Sequence, residues 1–294
     1  MARCGIDHIV HAVKGLEAAR EAYVRLGFTL MPFAEHPWGT RNFLVQLDGA
    51  FIEVLDVFDP DRMEEADFDS FSFGAYNRDF LVGGEGMSML VLDSVDPEAD
   101  RAAFVKAGLR TYAPFSFERV ARQPDGSDAR VAFDLTFTTH LDLPDVAFFT
   151  CRNRYPENFW KEAYQRHANG ALGIAGTVLV MPRPADLHEF IEGFTGVREL
   201  KVTGFGIECR TARGSFDVLT PEGFEALYGA AYPLGEMKSP RFVATKLKVR
   251  DPALFADKAR TGGADVTMRD DGKRAVIAAS SLNGMALIVE GDGQ

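Results

Sequence analysis

Short apolar runs and amphipathic stretches alternate along the 294-residue chain in an order that recurs four times. The runs "GIDHIVHAV", "GMSMLVLDS", "GIAGTVLVM" and "RFVATKLKV" are apolar and followed within a few residues by Asp, Pro or Gly, which predicts strands. After each comes a helical period: "LEAAREAYVRLG", "DPEADRAAFVKAG", "RPADLHEFIEGFTG" and "DPALFADKARTGG". The closing glycines, Gly27, Gly108, Gly196 and Gly262, are each expected in the left-handed position that ends a helix.

Behind the first helix, "FTLMPF", "RNFLVQL" and "AFIEVLDV" read as three more strands, so one unit is βαβββ. The second unit repeats it with "YAPFSFERVAR", the turn "PDGSD", "RVAFDLTFTT" and "VAFFTCRNR". The third reads as irregular, and the fourth is shorter, with "VTMRDDG", "KRAVIAAS" and "MALIVEG". The fold class expected is α+β, built from four βαβββ modules. "YPENFWKEAYQRHANG", with a helix from Pro156, joins the second and third units, which places a domain boundary near residue 168. Two domains of two modules each follow, 1–168 and 169–294.

Composition narrows the partners. With 46% hydrophobic and 26% charged residues the chain is of ordinary globular type. No run approaches the roughly 18 apolar residues of a membrane span, and the first residues carry neither a basic flank nor an apolar signal region, so a cytoplasmic protein is expected. A net charge of −11 with scattered Lys and Arg argues against nucleic acid. Cys4, Cys151 and Cys209 are odd in number and far apart, which suggests thiols rather than disulfides or a zinc knuckle. A small molecule, and a second copy in a homodimer, are the expected partners.

"DHIVHAV" as first strand, "LEAAREAYVRLGF" as helix and "GAFIEVL" as last strand resemble the vicinal oxygen chelate superfamily. "HPWGTRN", "SFGAYNRDFL" and "PENFWKEAYQRHANGALGIAG" are similar to its glyoxalase-like family. The resemblance covers residues 5 to 180 well. It implies that modules pair into two curved-sheet cups, and that metal ligands come from the first and last strands of a module. Carried over by position, it marks His8 and Glu53 as ligands of one divalent metal ion. Ser88 and Phe149 stand at the second module's corresponding positions, so the ligand set is incomplete. The candidates to complete it are His36, His140, His167 and His188: His140, at a strand end, or His167, after a helix, could do so, and His188, beside Glu189 and Glu192, reads as surface.

Side-chain parity supports the transfer. In a strand, Ile6, His8, Val10 and Ala12 share one face and Ile9, His11 and Val13 the other, so His8 looks into the cup. His11 then reads as a hydrogen-bonded core histidine between sheet and helix. Phe51, Glu53 and Leu55 share a face, which sets a carboxylate among apolar neighbours, where it must be paired, metal-bound or protonated. Trp38, Thr40 and Asn42 in "HPWGTRN" offer an apolar wall and donors for a substrate, and Arg152 and Arg154 in "CRNRY" could hold an anion. "FSFGAYNRDFL", too rich in aromatics for a solvated linker, should border the first cup.

Two functions fit. One is an enzyme acting on a small oxygenated substrate through His8 and Glu53, by metal-assisted or general-base chemistry of lyase, isomerase or dioxygenase type. The other is a metal-free cup that binds or sequesters a small molecule.

Overall fold

The computed structural model describes residues 4–122 and 126–293. The first module comprises β1 (Ile6–Ala12), α1 (Leu16–Arg25), β2 (Ala34–Glu35), β3 (Thr40–Gln46) and β4 (Phe51–Val57), and is followed by the connecting helix α2 (Phe73–Val82). The second comprises β5 (Gly86–Asp93), α3 (Pro97–Lys106), β6 (Phe115–Arg122), β7 (Asp128–Thr139) and β8 (Ala147–Asn153). After a one-turn helix α4 (Pro156–Phe159), the third runs through β9 (Ala171–Val180), α5 (His188–Thr195), β10 (Lys201–Thr203), β11 (Gly206–Arg210) and β12 (Ser215–Leu219). Helix α6 (Pro221–Tyr228) leads to the fourth: β13 (Arg241–Val249), α7 (Pro252–Thr261), β14 (Val266–Arg269), β15 (Arg274–Ile277) and β16 (Ala286–Gly291). The third module is therefore complete, although its three outer strands are short. The turn read at "PDGSD" lies partly outside the described residues.

Each pair of modules forms one eight-stranded sheet, in the orders β2-β3-β4-β1-β5-β8-β7-β6 and β10-β11-β12-β9-β13-β16-β15-β14. The first strands of paired modules run antiparallel at the centre, β1 with β5 and β9 with β13, and each also pairs in parallel with its own module's last strand. This puts first and last strands side by side at the floor of a curled sheet, so side chains from both converge. The helices α1, α3, α5 and α7 carry apolar faces into a core on the outer faces of both sheets, where Ile9, Phe148, Phe216 and Phe242 meet. The inner faces hold two separate clusters, one around Phe51 and Phe149, the other around Phe224 and Ile288.

Two local expectations need correction. Gly27, Gly108 and Gly196 have φ of 88°, 73° and 68°, but Gly262 has φ −75° and the left-handed position falls to Gly263 at 86°. At Gly262 the constraint is space, since a Cβ there would lie 2.4 Å from the carbonyl oxygen of Arg25 where α7 meets α1. Ile6 does not share a face with His8. The β1–β5 register shifts between Ile6 and His8, a bulge with Asp7 as the extra residue, and Ile6 joins Ile9 in the outer core.

Candidate functional site

The inner face of the first sheet encloses a cavity of ≈ 50 Å³ lined by His8, Asn42, Glu53, Arg119, Cys151, His36, Trp38 and eight apolar side chains, among them Phe51, Phe73, Phe117 and Phe149. His8 and Glu53 come together here as side-chain parity requires. Their nearest atoms, Nε2 and Oε2, lie 3.9 Å apart, and the residues are only 4% and 7% exposed.

Neighbours hold both groups in place. The Nδ1–H of His8 donates to the Asp7 carboxylate at 2.5 Å, a contact the bulge at Asp7 creates, and the ring stacks on Phe51 with centroids 4.2 Å apart. With Nδ1 as donor, His8 presents Nε2 to Glu53. Asn42 donates from Nδ2 to the other Glu53 oxygen at 2.6 Å. Burial raises the Glu53 pKa, opposed by His8, Asn42 and Arg119. Arg119 on β6 faces the cup, and burial lowers its pKa while Glu53 works against that. Its Nε and the indole Nε1 of Trp38 are buried with no hydrogen-bond partner among the described residues.

The remaining sequence candidates divide. Trp38 and Asn42 line the cavity. Thr40 lies behind it, and its hydroxyl is hydrogen-bonded at 2.8 Å to Nδ1 of His36, whose ring stacks on Trp38 at 4.8 Å. His36, a candidate ligand from the sequence, is buried enough that its pKa falls to about 3, with Arg119 adding to the shift. Arg152 and Arg154 leave the site. They alternate with Cys151, which faces the cup, so they point away from it; Arg154 pairs with Asp134 at 2.7 Å, and Arg152 borders an outer groove.

His140 and His167 are not ligands of this cup. His140 packs on Phe190 of the outer core, and its Nδ1 accepts from the amide of Asp142. His167 has both ring nitrogens engaged, Nδ1 accepting from the Thr29 amide at 3.0 Å and Nε2 on the Gln46 carbonyl at 2.8 Å, so no lone pair is free. Ser88 is taken up by the Asn77 side chain at 2.8 Å. His11 is fully buried between Tyr23 Oη and the Asn283 carbonyl, both at 2.9 Å, and burial lowers its pKa to about 4.

Sequence reasoning missed Asp7, Arg119 and Cys151. Alternation along "FSFERVAR" or "VAFFTCRNR" could have flagged the last two; Asp7 faces the cup only because of the bulge. The geometry bears on a metal in two ways. A lone pair on Nε2 and a carboxylate oxygen 3.9 Å apart repel unless a proton or cation lies between them. Asp7, His8 and Cys151 also bring oxygen, nitrogen and sulfur ligand atoms within 4.8 Å of one another. Such donors suit a borderline divalent ion. Burial, with Asp7 and Glu53 nearby, pushes the Cys151 thiol pKa up, so its role as ligand requires the metal to displace the proton.

The sequence profile described as "Glyoxalase-like domain" matches residues 6–195. No curated protein matches the chain in sequence. Among solved structures, a hypothetical protein from Staphylococcus aureus superposes with TM-score 0.65 at 13% identity, over 98% of this chain and 99% of that one. A mutant 4-hydroxymandelate synthase from Streptomyces coelicolor gives 0.64 at 12% identity, over 99% and 93%. The Mn(II)-bound glyoxalase from Novosphingobium aromaticivorans gives 0.56 at 14%, over 100% and 84%. At these identities the likeness is one of fold.

Proposed function

Because the chain belongs to the glyoxalase-like family of the vicinal oxygen chelate superfamily, we propose that its first cup is an enzyme active site in which Glu53 moves a proton of a small oxygenated substrate. The observation that carries this reading is a polar chain, Asp7 to His8 to Glu53 to Asn42, set into an aromatic cup. Asn42 holds one Glu53 oxygen and leaves the other facing the cavity. Asp7 fixes the tilt and tautomer of His8. Phe51, Phe149 and Phe73 keep water from the carboxylate, and a carboxylate whose pKa is raised by burial is a stronger base when ionised.

A divalent ion fits the donors present, held by His8 with Glu53 or by His8 with Asp7 and Cys151. When bound it supplies Lewis-acid polarisation of a substrate carbonyl. The test has two readings. Metal content after purification without chelator is compared between wild type and His8→Ala, and solvent deuterium exchange is followed by NMR in a panel of α-hydroxy and α-keto carbonyl compounds. Glu53→Gln keeps the shape and the Asn42 contact, and exchange should fall roughly a hundredfold or more. If the wild type exchanges no panel compound, the enzyme reading fails and sequestration by the cup takes its place; if Glu53→Gln exchanges it equally well, Glu53 is not the base.

A further inference from the structure

The two cups carry the same carboxylate position but treat it in opposite ways. In the first module Glu53 pairs in register with Val10, and in the third Asp217 pairs with Val178, so Asp217 is the second cup's counterpart of Glu53. There Lys246 on β13 reaches across, donating to Asp217 Oδ2 at 2.5 Å and Ser215 Oγ at 2.7 Å. Gly176, the counterpart of His8, makes room for it, because a Cβ would lie 2.6 Å from Lys246 Cε. The second cup thus neutralises its own charge by direct contact.

The first cup does not. Arg119 supplies the cation but forms no ion pair or hydrogen bond among the described residues, whereas Arg41, Arg78 and Arg154 each hold a carboxylate. Its Nε–H and the Trp38 Nε1–H, both from residues on the wall of one cavity, are buried without acceptors among the described residues. A buried donor left unpaired is costly, and two in one cavity mark a missing acceptor. The flanking surface is aromatic, with Phe117 set edge-on to Trp38 at 5.0 Å.

We infer that Arg119 and Trp38 dock the carboxylate of a small carboxylic acid, which defines the substrate class of the first cup. This rests on the active-site reading above. A planar guanidinium matches the two oxygens of a carboxylate, and a cavity of ≈ 50 Å³ admits an acid of a few heavy atoms but not one carrying a ring, since benzene alone occupies a cavity of about 150 Å³.

The test is calorimetric titration of the full chain with acetate and propionate, with acetamide and propionamide as uncharged matches, and with inorganic phosphate. An acid should bind roughly tenfold to a hundredfold tighter than its amide. Arg119→Met should erase that preference while keeping amide affinity, and Arg119→Lys should restore part of it. An altered melting temperature in Arg119→Met would leave Arg119→Lys and the wild-type acid-to-amide ratio to decide. Equal binding of acid and amide, no saturable binding of either acid, or tighter binding of phosphate would overturn the inference. Glu53→Gln separates the two readings: it should bind the acids at least as well as wild type, so loss of exchange with retained acid preference tells against neither, and retained exchange tells only against Glu53 as base.

Discussion

Asp7 shows how much a single residue can alter this site. Inserted by a bulge, it turns its carboxylate to His8 Nδ1 at 2.5 Å and thereby decides which ring nitrogen faces Glu53. Asp7→Asn keeps the size but can present either an oxygen or an NH₂ to Nδ1. Metal affinity, measured by titration with Zn²⁺, should drop roughly tenfold to a hundredfold while the fold is retained. An unchanged affinity would place the ion without help from this contact. His11 makes the opposite case, a histidine kept neutral by burial with both nitrogens bonded. Its folded pKa of about 4 lies below the unfolded value near 6.5, so the unfolded chain takes up the proton first as pH falls. The stability it contributes is complete above pH 6.5 and is lost between there and about 4, by an amount on the order of 3 kcal/mol. Denaturant titrations from pH 7 to 4 should show that loss, and His11→Gln should flatten part of it.

Among elements, α2 decides whether the first cup is closed. Ser72 caps it by accepting from the Ala75 amide, Phe73 lines the cavity, and Phe71 just ahead of it stacks on Phe137 at 4.2 Å. The aromatics of "FSFGAYNRDFL" therefore border the first cup. The helix comes this close because Gly74 has no side chain; a Cβ there would lie 2.9 Å from the Trp38 carbonyl oxygen. Gly74→Ala must push α2 or the turn carrying Trp38 outward. We expect a loss of about 1–3 kcal/mol in chemical unfolding and weaker binding of any cup ligand. Wild-type stability and binding in this variant would show that α2 is not seated on Trp38.

For the whole molecule, the two sheets share one outer core rather than each owning its own. Phe148 of β8 meets Phe216 of β12 and Phe242 of β13 at 5.8 and 5.9 Å, and Arg213 bridges to Asp93 at 2.8 Å. A division near residue 168 separates the strands of the sheets, but it cuts through that core. Accordingly we expect the full chain to unfold in one cooperative transition by circular dichroism and fluorescence together, and residues 1–168 made alone to expose apolar surface and aggregate. Two separate transitions, or a soluble folded fragment, would show that the halves are independent. The second cup tests the same point from its interior. Lys246→Met leaves the Asp217 carboxylate buried without its cation, and should cost roughly 3–5 kcal/mol unless the site recruits another cation.

The sequence by itself determined the four modules and the pairing of His8 with Glu53, because strand and helix periods are local and parity follows from them. Phe51 and Glu53 fall on one face of β4 whatever surrounds them. It also carried Trp38 and Asn42 to the cavity wall. What only the tertiary structure decided were the exceptions to period and the meetings of distant strands. A bulge reverses parity at Ile6 and turns Asp7 inward, which no pattern of apolar residues announces. Arg119 enters the cup while Arg152 and Arg154 leave it, because the side of a strand that faces inward is set by how the sheet curls. The sequence leaves His167 free to bind a metal, but in the fold the Thr29 amide and the Gln46 carbonyl, more than a hundred residues away in the chain, claim its two nitrogens. The contrast between an open first cup and a self-neutralised second arises likewise from Lys246 meeting Asp217 across strands, a contact between residues that are not neighbours in sequence.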